Sequence, residues 1–118
     1  MAYVQGFVLA VPVANRAAYL AMAEQAWPLF REFGAQSMAE CWEDDVPDGK
    51  LTSFPMAVKK RDDEAVVFSW IMWSDKASHD QGMAALMQDP RWAAMTAESM
   101  PFDGQRMIFG GFEVAFAS

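Results

Sequence analysis

Glu64 to Trp73 (Glu-Ala-Val-Val-Phe-Ser-Trp-Ile-Met-Trp) is the stretch that most restricts how this chain can fold. It is rich in β-branched and aromatic residues and reads as a strand. Alternation sends Val66, Phe68, Trp70 and Met72 to one face, and Val67, Ser69, Ile71 and Trp73 to the other. An antiparallel sheet with one wet face would alternate apolar and polar residues. This strand is apolar on both sides. Residues 3–11 repeat the pattern, with Tyr3, Phe7, Leu9 and Val11 opposite Val4, Val8 and Ala10. Met107 to Phe116, the last predicted strand, offers Met107 and Phe109, then Ile108, Phe112, Val114 and Phe116. Helices on one side of a sheet cover only that side. About six large apolar side chains left open would forgo roughly 10–20 kcal/mol of burial. Whole domains are stable by only about 5–15 kcal/mol. A patch of that size takes a partner, and the simplest is a second copy packed sheet against sheet about a two-fold axis. The alternative is a monomer whose 44–63 segment folds over the second face.

The other elements follow from local signals. Asn15 is a candidate N-cap for a helix to about Phe33, with Leu20, Ala23, Trp27 and Phe30 on one stripe, widened by Tyr19, Met22, Ala26 and Phe33. Pro28 should kink or split that helix, and Gly34 is a natural residue to end it. Residues 37–43 read as a second strand. Residues 44–63 carry Pro47, Asp48-Gly49 and Pro55 and read as a long loop, with Phe54 to Lys59 as a candidate edge strand. Ser74 or Asp75 can cap a helix to about Gln88, and Asp89-Pro90 starts a short one holding Trp92 and Met95. Gly110-Gly111 predicts a bulge or a close backbone approach. The order β-α-β-β-α-β predicts an α+β, ferredoxin-like antiparallel sheet with helices on one face, in a single domain over residues 1–118.

Composition narrows the partners. Sixteen acidic against nine basic residues give a net charge of −7 in 118 residues. Such a surface repels phosphate backbones and anionic lipid, so neither nucleic acid nor membrane is an expected partner. The single cysteine, Cys41, excludes an intrachain disulfide, and Met1 to Gly6 lacks the basic opening of a secretory leader. A cytoplasmic location is the expectation.

Several blocks together resemble a known family. They are Glu40-Cys41, Asp44-Asp45-Val46-Pro47, Gly49-Lys50 and Thr52-Ser53-Phe54-Pro55, then Val67-Phe68-Ser69-Trp70-Ile71 and Asp89-Pro90-Arg91. Met100-Pro101-Phe102-Asp103-Gly104, Arg106-Met107 and Gly110-Gly111-Phe112 complete them. The chain resembles, nearly end to end, the YbaA-like proteins, a small bacterial family of unknown function. The resemblance implies the dimeric α+β barrel superfamily, in which two ferredoxin-like subunits pack their sheets into one barrel, and hence a homodimer. That superfamily hosts cofactor-free monooxygenases, heme-handling proteins, dehydratases, isomerases and binding proteins, so the resemblance fixes no reaction. It leads one to expect an acid where Gln5 stands and a basic residue at or near His79. Neither position is therefore carried over as a catalytic group of the family.

The remaining candidates each have a plainer reading. His79, the one histidine, could act as an acid or base oriented by Asp75 one turn earlier, or lie solvated beside Ser78 and Asp80. One histidine cannot build a multi-histidine metal or heme site, and no cofactor is expected. Glu40, Glu43, Asp44, Asp45 and Asp48 could hold a hard cation, but Val46 breaks the calcium-loop spacing and a solvated rim is the simpler reading, so no metal is expected. Cys41 lies mid-strand, where a lone cysteine packs as a small hydrophobe. Arg106 could fork a carboxylate or phosphate ligand, or pair with Asp44, Asp45 or Asp103 to pin two loops. Phe54 and its neighbours could line a pocket mouth or anchor a turn. Trp42, Trp70, Trp73, Met38, Met72 and Met107 could line an apolar cavity between sheets, or form solid interface core. Glu40, pointing inward beside Trp42, would be a desolvated carboxylate and the best base in the chain. Three functions follow. The first is a homodimer binding a small apolar or aromatic molecule between its sheets. The second is a cofactor-free enzyme on a small organic acid or aromatic metabolite, using Glu40, Asp103 and Arg106. The third is a ligand-free structural dimer.

Overall fold

The computed structural model describes residues 1–97 and 100–118. Its elements are β1 (Tyr3–Pro12), α1 (Arg16–Glu32), β2 (Ser37–Trp42), α2 (Phe54–Ala57), β3 (Glu64–Trp73), α3 (Lys76–Met87), α4 (Pro90–Thr96) and β4 (Ile108–Glu113). Single 3-10 turns at Val13–Asn15 and Gly104–Arg106 precede α1 and β4. The four strands form one sheet in the order β2-β3-β1-β4. Every neighbouring pair is antiparallel. This is the ferredoxin-like α+β arrangement that the strand and helix order predicted.

Local chemistry explains the boundaries. Gly34, at φ 114°, lets the chain turn out of α1. The Ala35 N–H then reaches the Phe30 carbonyl (3.0 Å) and the Gly34 N–H reaches Arg31 (3.1 Å), which satisfies two carbonyls at the helix end. The Asp75 carboxylate accepts from the Ser78 N–H at the start of α3 (2.7 Å), and Asp89 accepts from Arg91 N–H at the start of α4 (2.8 Å). Asn15 occupies the N-cap position of α1 without capping it. Its amide instead donates to the Pro101 carbonyl (2.9 Å) and fastens the helix start to the 100–103 segment. α1 is not split at Pro28 and continues to Glu32.

Two local expectations change. Phe54 onward is a one-turn helix, not an edge strand, because Ser53 Oγ accepts from the Met56 N–H (3.1 Å) and Pro55 suits a first turn. Gly110-Gly111 carries no bulge, since Gly6 pairs with Gly110 and Gln5 with Gly111 in unbroken register. The close approach is real: a Cβ on Gly111 would collide with the Tyr3 ring and hydroxyl.

Register assigns the faces. Leu9 opposite Val67, Val11 opposite Ala65, and Gln5 opposite Ile71 project toward the helices. Most of these are buried, together with Tyr19, Leu29, Phe30 and Leu86 from the helices. Val4, Val8 and Ala10 share the other face with Val66, Phe68, Trp70 and Met72. No helix of the α1, α3, α4 layer covers that second face. The reading in which the 44–63 segment covers it holds for one part only. The 44–63 segment folds over one end, where Val58 is fully buried with Ala10 and Val66. The rest stays open, with Phe68 46%, Ile108 45% and Phe112 58% exposed. Among the described residues no helix is long and apolar enough to cross a membrane.

Candidate functional site

A cavity of about 350 Å³ lies between the helix-bearing face of the sheet and the layer formed by α1, α3 and α4. Its floor is Gln5, Phe7, Leu9, Met38, Glu40, Ser69, Ile71 and Phe109 from the strands. Its walls are Tyr19, Met22, Ala26 and Phe30 of α1, Met83 and Met87 of α3, and Trp92, Met95 and Thr96 of α4. Met100, Phe102 and Met107 close one end. Seven of the ten methionines are therefore here. Unbranched, polarisable side chains adapt to ligands of irregular shape.

One polar cluster interrupts this wall. Glu40 and Ser69 are directly opposed across β2 and β3, so both side chains enter from the same face. Ser69 Oγ donates to Glu40 Oε1 (3.0 Å), and Tyr19 Oη donates to Oε2 (2.8 Å). Burial pushes the Glu40 carboxyl above the ordinary carboxylate range, and these two hydrogen bonds pull it partly back. Burial, and then the Glu40 charge, push the Tyr19 hydroxyl well above its usual value. Tyr19 is thus a fixed donor at neutral pH. Among the described residues Glu40 is the one charged group lining the cavity.

The other candidates lie elsewhere. Trp70 and Met72 project to the helix-free face, because they alternate with Ser69 and Ile71, and so do not line this cavity. Phe54 meets Phe68 edge-on over that same face (6.3 Å between centroids). Trp42 shares the inner face with Glu40 but lies beyond the cavity, under the Arg16 guanidinium at 5.0 Å. Trp73 is core, its Nε1–H donating to Gln5 Oε1 (2.9 Å). The cavity thus lies under the helices rather than between sheets. A smaller hollow of about 230 Å³, lined by Val8, Phe68, Ile108 and Phe112 among others, does mark the helix-free face.

Arg106 is fully engaged inside the chain. Its guanidinium forks Glu64 (Nη1–Oε1 2.8 Å, Nη2–Oε2 2.5 Å), and Nε donates to Asp103 Oδ2 (3.0 Å). Nη1 also donates to the Lys59 carbonyl (2.9 Å). This pins two loops together as the plainer reading had it, with Glu64 in place of Asp44 or Asp45. It also removes Arg106 and Asp103 from the cavity. His79 lies against Tyr3 (4.9 Å) and edge-on to Trp73 (5.5 Å), with Nδ1 2.8 Å from Asp80 Oδ1. Asp75 does not orient it, being occupied as the α3 cap. Glu43 accepts from the Val66 N–H (2.8 Å) and pairs with Lys60. Among the described residues no three His, Cys, Asp or Glu side chains come together as a metal site. Cys41 is exposed on the helix-free face rather than packed within the chain.

Fold and cavity together define a ferredoxin-like α+β protein with an apolar internal site around one carboxylate. Residues 2–104 match the family described as Protein of unknown function (DUF1428), and the chain belongs to that family. It is 56% identical over 113 residues to the uncharacterized protein YbaA of Escherichia coli K12, covering 96% of each chain. The YbaA of Shigella flexneri matches to the same extent. A crystal structure of a dimeric ferredoxin-like protein from an uncultured marine organism superposes with a TM-score of 0.60 at 9% identity, covering 99% of this chain and 98% of that one.

Proposed function

We propose that this protein is a cytoplasmic homodimer that binds a small apolar or aromatic molecule in the cavity beneath its helices. The observation that carries the reading is a Met- and aromatic-lined space of about 350 Å³ with a single inward polar cluster. Small-molecule sites have this make-up, an apolar wall with a few converging polar groups. The open half of the helix-free face supports the dimer, as does the likeness to a neighbour described as dimeric. The test is a thermal-shift screen with small aromatic and aliphatic molecules, repeated on Ala26→Leu, which fills the cavity from α1. A ligand specific for the native form raises the melting temperature, by an amount that grows with concentration. The reading expects such a shift and its loss in Ala26→Leu. No shift across a broad panel would overturn it.

A second reading, a cofactor-free enzyme, is favoured by Glu40 itself. A carboxylate with a raised pKa in a water-poor space is suited to take a proton from a bound substrate. Under this reading Glu40→Gln still binds the ligand but no longer converts it, as followed by mass spectrometry of the recovered molecule.

A further inference from the structure

We propose that the ligand of this cavity is a small organic amine in its cationic form, an ammonium carried on an apolar or aromatic body. The inference rests on the cavity being a ligand site and concerns the charge of what it takes.

Glu40 faces the cavity without a cationic partner. Among the described residues no lysine, arginine or histidine lines that space. Three arginines have partners elsewhere: Arg16 over Trp42, Arg91 with Glu32 and Asp89, and Arg106 with Glu64 and Asp103. A carboxylate has about four acceptor positions. Tyr19 and Ser69 use one on each oxygen. The remaining positions can take the N–H donors of an ammonium, and a charge-assisted bond of this kind is about twice as strong as a neutral one.

The surroundings suit a cation as well. Tyr19, Phe30, Trp92 and Phe102 line the same space, and aromatic faces attract organic cations. The net charge of −7 attracts cations to the protein and disfavours anions. Burial disfavours a lone negative charge on Glu40, and an ammonium seated against the carboxylate would compensate it. An organic acid would meet the opposite situation, a second negative charge in a poorly solvated space. The small organic acid considered from sequence is therefore disfavoured as a substrate.

The test compares three probes of similar size, phenethylammonium, 2-phenylethanol and phenylacetate, by calorimetry on the purified full-length protein and on Glu40→Gln. The ammonium should bind at least about tenfold more tightly than the alcohol, as expected for one hydrogen bond to a charged group, with phenylacetate weakest. Glu40→Gln should bring the ammonium down to the level of the alcohol. Equal or tighter binding of the alcohol or the acid by the wild type overturns the inference while the cavity reading stands, and this comparison needs no variant. Survival of the ammonium preference in folded Glu40→Gln overturns it too. Failure of all three probes overturns this inference, and the cavity reading falls with it only if the broad thermal-shift panel also gives no shift.

Discussion

Replacing Arg106 with methionine should cost the fold about 3–5 kcal/mol at neutral pH, the cost of removing one partner of a buried ion pair. The Glu64 side chain is only 3% exposed and that of Arg106 12%. Without the guanidinium, Glu64 keeps a single backbone donor, the Arg61 N–H at 2.7 Å. The Lys59 carbonyl and the Asp103 carboxylate lose their shared partner at the same time. For a domain of this length the loss corresponds to about 10–20 °C in melting temperature. The pH dependence has a definite sign. The Arg106 hydrogen bonds hold the Glu64 carboxyl down at about 2, below the ordinary value near 4.3. Stability from this depressed pKa is present above the ordinary value and is lost as pH falls toward 2. The gap between wild type and Arg106→Met should therefore narrow between about pH 5 and pH 2. Urea denaturation at pH 7 and at pH 3 reads both effects. Glu64→Gln combined with Arg106→Met should recover part of the loss, because no charge is then stranded. A loss under about 1 kcal/mol at pH 7, or one unchanged at pH 3, would refute the reasoning.

Three further outcomes are expected. Gly82→Ala should lose about 1–3 kcal/mol by calorimetry despite alanine's better helix propensity, because its Cβ would meet the Phe33 carbonyl and the Trp73 ring. Glu40→Gln should melt higher than wild type at pH 7. Glu40's raised folded pKa costs the wild type stability as pH rises from the ordinary carboxylate range through that pKa, so the advantage should vanish near pH 4 in a pH series of melting curves. Phe68→Asp, on the open half of the helix-free face, should weaken self-association of the proposed homodimer by about 10–10²-fold in sedimentation equilibrium, since two-fold symmetry removes two phenylalanines that are already half-buried, leaving about half of the usual 1.5–3 kcal/mol each to be gained on association.

Much of the fold was legible because its signals are local. Asp75, Asp89-Pro90 and Gly34 set helix ends through hydrogen bonds within a few residues. The alternation in β3 assigned Phe68 and Trp70 to one face and Ser69 and Ile71 to the other, as the register has it. Alternation says which residues share a face, not which face the helices leave hollow. Trp70 and Met72 were therefore grouped with Met38 and Met107, which lie on the opposite side. The cavity walls also come from α1, α3 and α4, whose Met22, Met83 and Met95 read in sequence as ordinary core contacts. A usable signal did exist. Gln5, Glu40 and Ser69 are the polar interruptions of otherwise apolar strand faces, and all three line the cavity. Tyr19 gave no such signal, since its hydroxyl matters only through Glu40, 21 positions away in the chain.

The placement of the site beneath the helices is tested most directly by methyl spectra of protein carrying ¹³C-methyl methionine, recorded with and without a bound probe. The account predicts that the signals of Met22, Met38, Met83, Met95 and Met107 move, while those of Met1, Met56 and Met72 stay fixed. Movement of Met72, on the helix-free face, with the first group unchanged would put the ligand between sheets and contradict it.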